Sequence, residues 1–347
     1  MGHLEKAGRA QGELILDEGT MPAKLQTFRR LAASLLSGAF VMQASLSLAA
    51  DKLEVADTRQ PASGLFYVAL DKGFFAKEQL EVNVQEIDAG GKALAAVVEG
   101  KADVALVSEM PFLFSLVKGN PVRMIAHFET SGHEAALMAR RDKGIAAIAD
   151  LKGKTIGYIP HTGSAVFLDL LLKANGLSDQ VKLVAHKPDM VGEALIKGEI
   201  DAFAGWNLLR LPVIEKLGSQ GVILDQHGLY VHCWGINVSE AGLVEKGPAF
   251  EKFLKALIKA EKWTAKNPKG AQAIIAKRLG LKSSQMASIW KNYDFSVGLH
   301  KTVQTSLVAA AGSQKLDVPG RLMPDFFNAL YPSILGGIEV KRVTVFD

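Results

Sequence analysis

The feature that most constrains this chain is a repetition. Val98–Met110 reads VEGKADVALVSEM, and Ile196–Leu208, 98 positions later, reads IKGEIDAFAGWNL. Each copy carries a glycine, an aspartate three residues on, a short apolar run and a polar tip. Gly100 and Gly198 suit the residue after a helix, which often takes the left-handed conformation that glycine adopts without steric cost. Asp103 and Asp201 stand where a short carboxylate can accept from turn amides ahead of a strand. Taken singly, each is turn chemistry. The constraint lies in the whole order recurring.

The surrounding sequence repeats as well. KLEVADTRQ from Lys52 reads as a strand, and PASGLFYVALDKGFFAKE as a helix turning Leu65, Val68, Ala69 and Phe74 toward a core. Strand LEVNVQEID, helix KALAAVVEG and strand ADVALVSE follow. A second round begins near Leu151: strand KTIGYI, loop and helix PHTGSAVFLDLLLKANG, strand VKLVAH, loop and helix KPDMVGEALIKGE, and strand IDAFAG. Pro61 and Pro160 occupy matching loops. A β-α-β-α-β order predicts an α/β fold with a mainly parallel sheet flanked by helices, here twice over. LYVHCWGINVS then reads as a strand returning to the first lobe. PAFEKFLKALIKAEKWTAKNP reads as a helix with Pro248 near its start and Asn267-Pro268 as its stop. The helices SSQMASIWKNYDF and TVQTSLVAAAG pack on the lobes. The expected architecture has lobe 1 at residues 51–137 plus 236–347, lobe 2 at 138–235, and short hinges near Ala136–Ala139 and Tyr230–Gly235.

Ligands of such sheets bind beyond the carboxyl ends of the strands, where loops lead into helix N-termini. Both rounds place small polar residues there: Gln60, Ser63 and Gly64, then Gly90 and Gly91, then Thr162, Gly163 and Ser164. Helix N-termini expose unpaired N–H groups and the positive end of the dipole, and small residues let a ligand approach that backbone. Two such lobes face to face make a cleft suited to a small anion. Ser63, Thr162 and Ser164 equally fit ordinary helix caps.

Residues 21–50 have a different character. Lys24, Arg29 and Arg30 form a basic start, Leu31 to Val41 an apolar stretch, and Ser47-Leu48-Ala49-Ala50 a small-residue end. This is the pattern of a secretory signal, cleaved after Ala49 or Ala50, and its serine-broken core is short of the ~20 apolar residues a span requires. Met21 is then the expected start, with residues 1–20 upstream of it. The chain has 40 basic and 36 acidic residues, a balance of +4 that gives no reason to expect a nucleic-acid partner. Cys233 is the sole cysteine, so no internal disulfide forms and no cysteine carries a lipid at the cleavage site.

The run GLFYVALDKGFFAKEQLEVNV, AGGKALAAVVEGKADVALV, DLKGKTIGYIPHTGSAVFL and ALIKGEIDAFAGW resembles the substrate-binding proteins of bacterial ABC importers. Within them it is similar to the group handling nitrate, taurine, alkanesulfonates and thiamin-pyrimidine precursors. The resemblance covers roughly residues 52–265. It implies a two-lobed periplasmic binding protein, monomeric and without a cofactor or metal, which closes on a small molecule and delivers it to an inner-membrane permease. It further implies ligand contacts at Gln60, Ser63, Gly90, Gly91, Ser108, Glu109, Thr162, Ser164 and Trp206. Trp206 matches a family tryptophan usually followed by an acidic residue and a proline, whereas Asn207 and Leu208 follow it here. Glu109 would repel an anion unless protonated or paired, and suits a cationic or amine-bearing ligand; the alternative is a rim carboxylate facing water. Of the aromatics near these loops, Phe112, Phe128, Phe167 and Trp234 are read as core, and Trp206 as a flat wall for an organic ring or tail.

Two other classes share the fold. Pyrimidine synthases of thiamin biosynthesis are associated with a cysteine-rich segment and iron, but this chain has one cysteine. Its histidines 127, 133, 161, 186 and 232 show no metal-ligand spacing. No nucleophile elbow or phosphate loop occurs. Sensory modules need a helix-turn-helix or an anchor, and neither is apparent.

Overall fold

The computed structural model describes residues 50–314 and 325–345; the expected export signal and the expected start at Met21 lie outside the described residues. The first round of the repeat gives β1 (Asp51–Asp57), α1 (Gly64–Asp71), α2 (Phe74–Lys77), β2 (Leu80–Glu86), α3 (Gly90–Val98), β3 (Val104–Ser108), α4 (Glu109–Val117) and β4 (Val122–Ser131). The single helix expected over residues 61–78 is a 3₁₀ turn at Pro61–Ser63 followed by α1 and α2. Gly73 separates the two helices in a left-handed conformation.

The second round gives β5 (Ala136–Arg140), β6 (Thr155–Tyr158), α5 (Gly163–Ala174), β7 (Lys182–Ala185), α6 (Pro188–Lys197), β8 (Ala202–Gly205), α7 (Asn207–Leu217) and β9 (Gly221–Leu224). β10 (His232–Ser239) leads into α8 (Glu240–Lys266). This helix starts before Pro248, capped by the Ser239 hydroxyl on the Gly242 amide, and kinks at Lys246. Asn267-Pro268 ends α8 and at once opens α9 (Pro268–Leu279), because proline fits the first helical position, where its missing N–H is no loss. α10 (Ser283–Ile289) and α11 (Lys301–Ser313) complete the C-terminal packing. No helix among the described residues is long and apolar enough to cross a membrane.

The strands form two five-stranded sheets of the same plan, β2-β1-β3-β10-β4 and β7-β6-β8-β5-β9. In each, the fourth strand is the antiparallel one: β10 lies antiparallel to β3 and β4, and β5 antiparallel to β8 and β9. Each of these two strands arrives from the other sheet, so the chain crosses at residues 132–135 and again at 225–231. The sequence hinges at Ala136–Ala139 and Tyr230–Gly235 therefore overlap strands β5 and β10.

The repeated residues have a shared structural role. Gly100 and Gly198 both adopt positive φ, +70° and +77°. Asp103 accepts from the Glu54 amide of β1 at 2.8 Å, and Asp201 from the Thr155 amide of β6 at 2.9 Å. Each aspartate thus holds the neighbouring strand rather than its own turn. Burial is nearly continuous along β3 and β8, as expected for strands covered on both faces.

Candidate functional site

A cavity of about 350 Å³ lies where the two sheets face each other. Six strand ends contribute to it. Thr58 and Gln60 follow β1, Asp88 to Gly91 follow β2, and Ser108 with Met110 and Pro111 follow β3. From the other sheet, His161 to Ser164 follow β6, Pro188 follows β7 and Trp206 follows β8. Glu134 and Ala135 from the first crossing, with His232 and Trp234 of β10, complete the wall.

Of the ten residues put forward from sequence, Gln60, Gly90, Gly91, Ser108, Thr162, Ser164 and Trp206 line this cavity. Gln60 Oε1 and Thr58 Oγ1 are buried without a hydrogen-bond partner in the protein, so two polar atoms of the wall await one. Gly90 is required by close packing, since a Cβ there would lie 2.6 Å from Pro111 Cγ; at Gly91 a Cβ would meet nothing within 4 Å. Thr162 does cap α5, accepting from the Ala165 amide at 3.3 Å. Its hydroxyl also shares a 2.9 Å bond with Ser164 and donates to the Ile159 carbonyl at 2.7 Å. His161 holds a left-handed conformation and presents its ring edge-on to Phe114, 5.2 Å away, so a contact between the lobes stands at the mouth.

Three of the ten do not line it. Ser63 is fully buried, donates to Asp57 Oδ1 at 2.6 Å and accepts from Trp234 Nε1 at 3.1 Å, so it anchors a wall residue from behind. Gly64 sits against Ile275 and Phe295, each within 2.7 Å of where a Cβ would stand; its role is packing. Glu109 is no rim residue. It is fully buried, accepting from the Tyr230 hydroxyl at 2.5 Å and the Cys233 amide at 2.9 Å. Its Oε1 would lie 3.1 Å from a Cβ at Gly163, so the carboxylate is set against the start of α5 in the other lobe. The proximity favours it, because a helix N-terminus attracts negative charge.

Sequence reasoning missed Glu134, while Trp234, read as core, does pack in the core and lines the cavity as well. Glu134 is 5% exposed and accepts from Asn207 Nδ2; the same nitrogen bonds the Tyr293 hydroxyl at 2.9 Å. Asn207, the departure from the family's acidic residue, is thus a buried bridge. Arg210 lies behind it, its guanidinium given to the Glu134 and Gly205 carbonyls and to Asn207 Oδ1. Trp234 is paired in register with Ser108, which places it at a strand end; it is 7% exposed, and its ring lies 5.4 Å from that of His232. Phe112, Phe128 and Phe167 are buried in the core as expected. The cavity is therefore acidic in its side chains. Asp88 and Glu134 line it together with the imidazoles of His161 and His232, and neither lysine nor arginine is among its lining residues.

Two similar α/β lobes, with strand ends converging on one interlobe cavity, define the periplasmic-binding-protein architecture. The chain belongs to the NMT1/THI5-like family, whose model matches residues 60–271. In fold it is similar to the periplasmic aliphatic sulphonate binding protein SsuA from Escherichia coli. That match has a TM-score of 0.70 at 17% identity and covers 81% of this chain and 92% of that one. In sequence it is 28% identical over 150 residues to the 4-amino-5-hydroxymethyl-2-methylpyrimidine phosphate synthase of Uromyces fabae, covering 43% of this chain and only 44% of that protein. It is also 28% identical over 223 residues to a putative thiamine biosynthesis protein of Haemophilus influenzae, covering 62% of this chain and 69% of the relative.

Proposed function

We propose that this protein is the solute-binding component of an ABC import system. It works in the periplasm as a monomer without a cofactor, takes a small nitrogen-bearing solute of pyrimidine or amine type between its lobes, and delivers it to a membrane permease. The observation that carries this reading is the convergence of three strand ends from each sheet, with the first crossing and the start of β10, on one cavity. A solute seated there touches both lobes, so it favours the closed arrangement over the open one.

The wall chemistry selects among solutes. Gln60 Oε1 and the Glu134 carboxylate are acceptors, and they match N–H groups of an amine or aminopyrimidine. A sulfonate or nitrate would find donors at the starts of α3 and α5 but would also face Glu134, a repulsion that opposes it, while Asp88 is already paired with Lys92 at 2.8 Å. Trp206 and Trp234 offer flat faces for a ring.

A synthase reading draws on the names of the relatives. Against it, the sole cysteine is buried in β10, and burial raises its thiol well above the ordinary range, which suits a packed residue better than a nucleophile.

Thermal unfolding with 4-amino-5-hydroxymethyl-2-methylpyrimidine, taurine, methanesulfonate and nitrate tests the proposal. A solute at a hundred times its Kd stabilises by about 2.7 kcal/mol, a rise of roughly 5 °C or more at this size. We expect that rise with the pyrimidine, recovered chemically unchanged. Stabilisation by none of the four, or conversion of the pyrimidine, would overturn the assignment.

A further inference from the structure

Behind the cavity wall stands one acid that the packing leaves unanswered. Glu129 of β4 is fully buried, and neither of its carboxyl oxygens has a hydrogen-bond partner in the protein. His232 Nδ1 stands 3.6 Å from it, beyond hydrogen-bond length, and His232 Nε2 lies 4.0 Å from Glu109. Glu109 and Glu134 are both met by donors, as described above. The groups facing Glu129 are His232 and Cys233 from β10, Glu109 from α4, Glu134 from the first crossing and Tyr293 from the C-terminal segment. Three buried carboxyl groups thus share one imidazole, and that imidazole lines the cavity.

Protonation follows from this crowding. Burial raises the Glu129 acid to about 8, so it holds its proton at neutral pH. Burial opposes charge on His232, but the Glu109 carboxylate, with the acidic groups of Glu129 and Glu134 beside it, outweighs burial and raises the imidazole to about 9. The pair carries one positive charge toward the cavity and keeps a neutral acid behind it. A second cation brought alongside is costly in a buried place unless a negative charge appears to meet it. Glu129 can supply that charge by ionising.

Resting on the solute-binding reading, we propose that the solute carries a positively charged nitrogen, and that its entry expels one proton from the Glu129–His232 pair. The O–H bond of Glu129 breaks and the proton passes to the solvent, leaving a carboxylate beside the imidazolium; nothing else is exchanged. Glu134 faces the incoming cation directly, and the ionised pair compensates it from behind.

The test is titration calorimetry in buffers of differing ionisation enthalpy between pH 6 and 8. One probe is 4-amino-5-aminomethyl-2-methylpyrimidine, whose primary amine is charged in this range, and the other its neutral hydroxymethyl counterpart. The amine is expected to release close to one proton per complex, its Kd tightening by up to about tenfold per pH unit. The hydroxymethyl compound is expected to bind more weakly and with no proton exchange. Glu129→Gln, which copies the neutral acid, should bind the amine with a Kd independent of pH. The proton count of the unaltered protein decides the matter even where the variant fails to fold. Amine binding without proton release, an unchanged pH slope in Glu129→Gln, or tighter binding of the hydroxymethyl compound overturns the proposal and leaves solute capture standing. Binding of no solute at all removes the solute-binding reading and this proposal with it.

Discussion

Replacing Ser63 by alanine separates a contact with the solute from support behind the wall. The hydroxyl serves two partners at once, donating to Asp57 Oδ1 at 2.6 Å and accepting from Trp234 Nε1 at 3.1 Å. Without it Asp57 keeps only the Tyr67 hydroxyl, at 2.7 Å, and the Arg59 amide, at 3.2 Å. The indole N–H is left with no acceptor. An unmet buried polar group costs about 1–3 kcal/mol, and the lost bond to Asp57 adds to it. The two losses together come to about 3 kcal/mol. At about 2–4 °C per kcal/mol, that lowers Tm by roughly 6–12 °C. Calorimetric unfolding of the solute-free protein measures it. A Tm within about 1 °C of the unaltered protein, together with a tenfold loss of solute affinity, would refute the reasoning and make Ser63 a direct contact.

Trp206→Ala removes a half-buried wall of the cavity; solute affinity should weaken by at least about tenfold, near 1.4 kcal/mol, with Tm changed by only a few degrees. Affinity within twofold of the parent would place the solute elsewhere. Gly163→Ala puts a methyl 3.1 Å from Glu109 Oε1 and 3.2 Å from the Tyr230 ring. Overpacking of this kind costs about 1–3 kcal/mol, visible as a lower urea midpoint. The pH profile of stability follows from Glu129 and His232. Both are raised in the folded protein, to about 8 and about 9, so each contributes stability fully present below its unfolded value and lost as pH rises through its folded one. Tm should therefore decline from about pH 4.5 to pH 9, Glu129 acting between about 4.5 and 8 and His232 between about 6.5 and 9, and Glu129→Gln should flatten the lower part of that decline; a profile unchanged by the substitution would contradict the placement of the pair.

The periodic part of the fold was legible because it obeys local rules. Gly100 and Gly198 needed only a left-handed turn, and the apolar runs of β3 and β8 needed only burial on both faces. The glycine, threonine and serine positions at helix starts were legible for the same reason: a strand end followed by small polar residues marks the mouth of a parallel sheet. What could not be read came from long-range pairing. Glu134 sits in a crossing segment with no motif of its own, and its place in the cavity depends on Asn207 and Tyr293. Trp234 reads as core on composition, and only its register opposite Ser108 brings it to the wall. Glu109 reads as a ligand contact or a rim carboxylate, whereas it is buried and does not line the cavity. That its charge would be met by Tyr230 and a β10 amide depends on a segment 121 residues away.

The strand that bridges β3 and β4 is also the last of its sheet to be made. When residue 131 has left the ribosome, every other member of the first sheet exists, yet its middle is missing until the chain reaches Ser239. A nascent chain therefore cannot seal its first lobe before the whole of the second has been synthesised. Such delayed closure makes residues 232–239 the step on which completion of the first sheet turns.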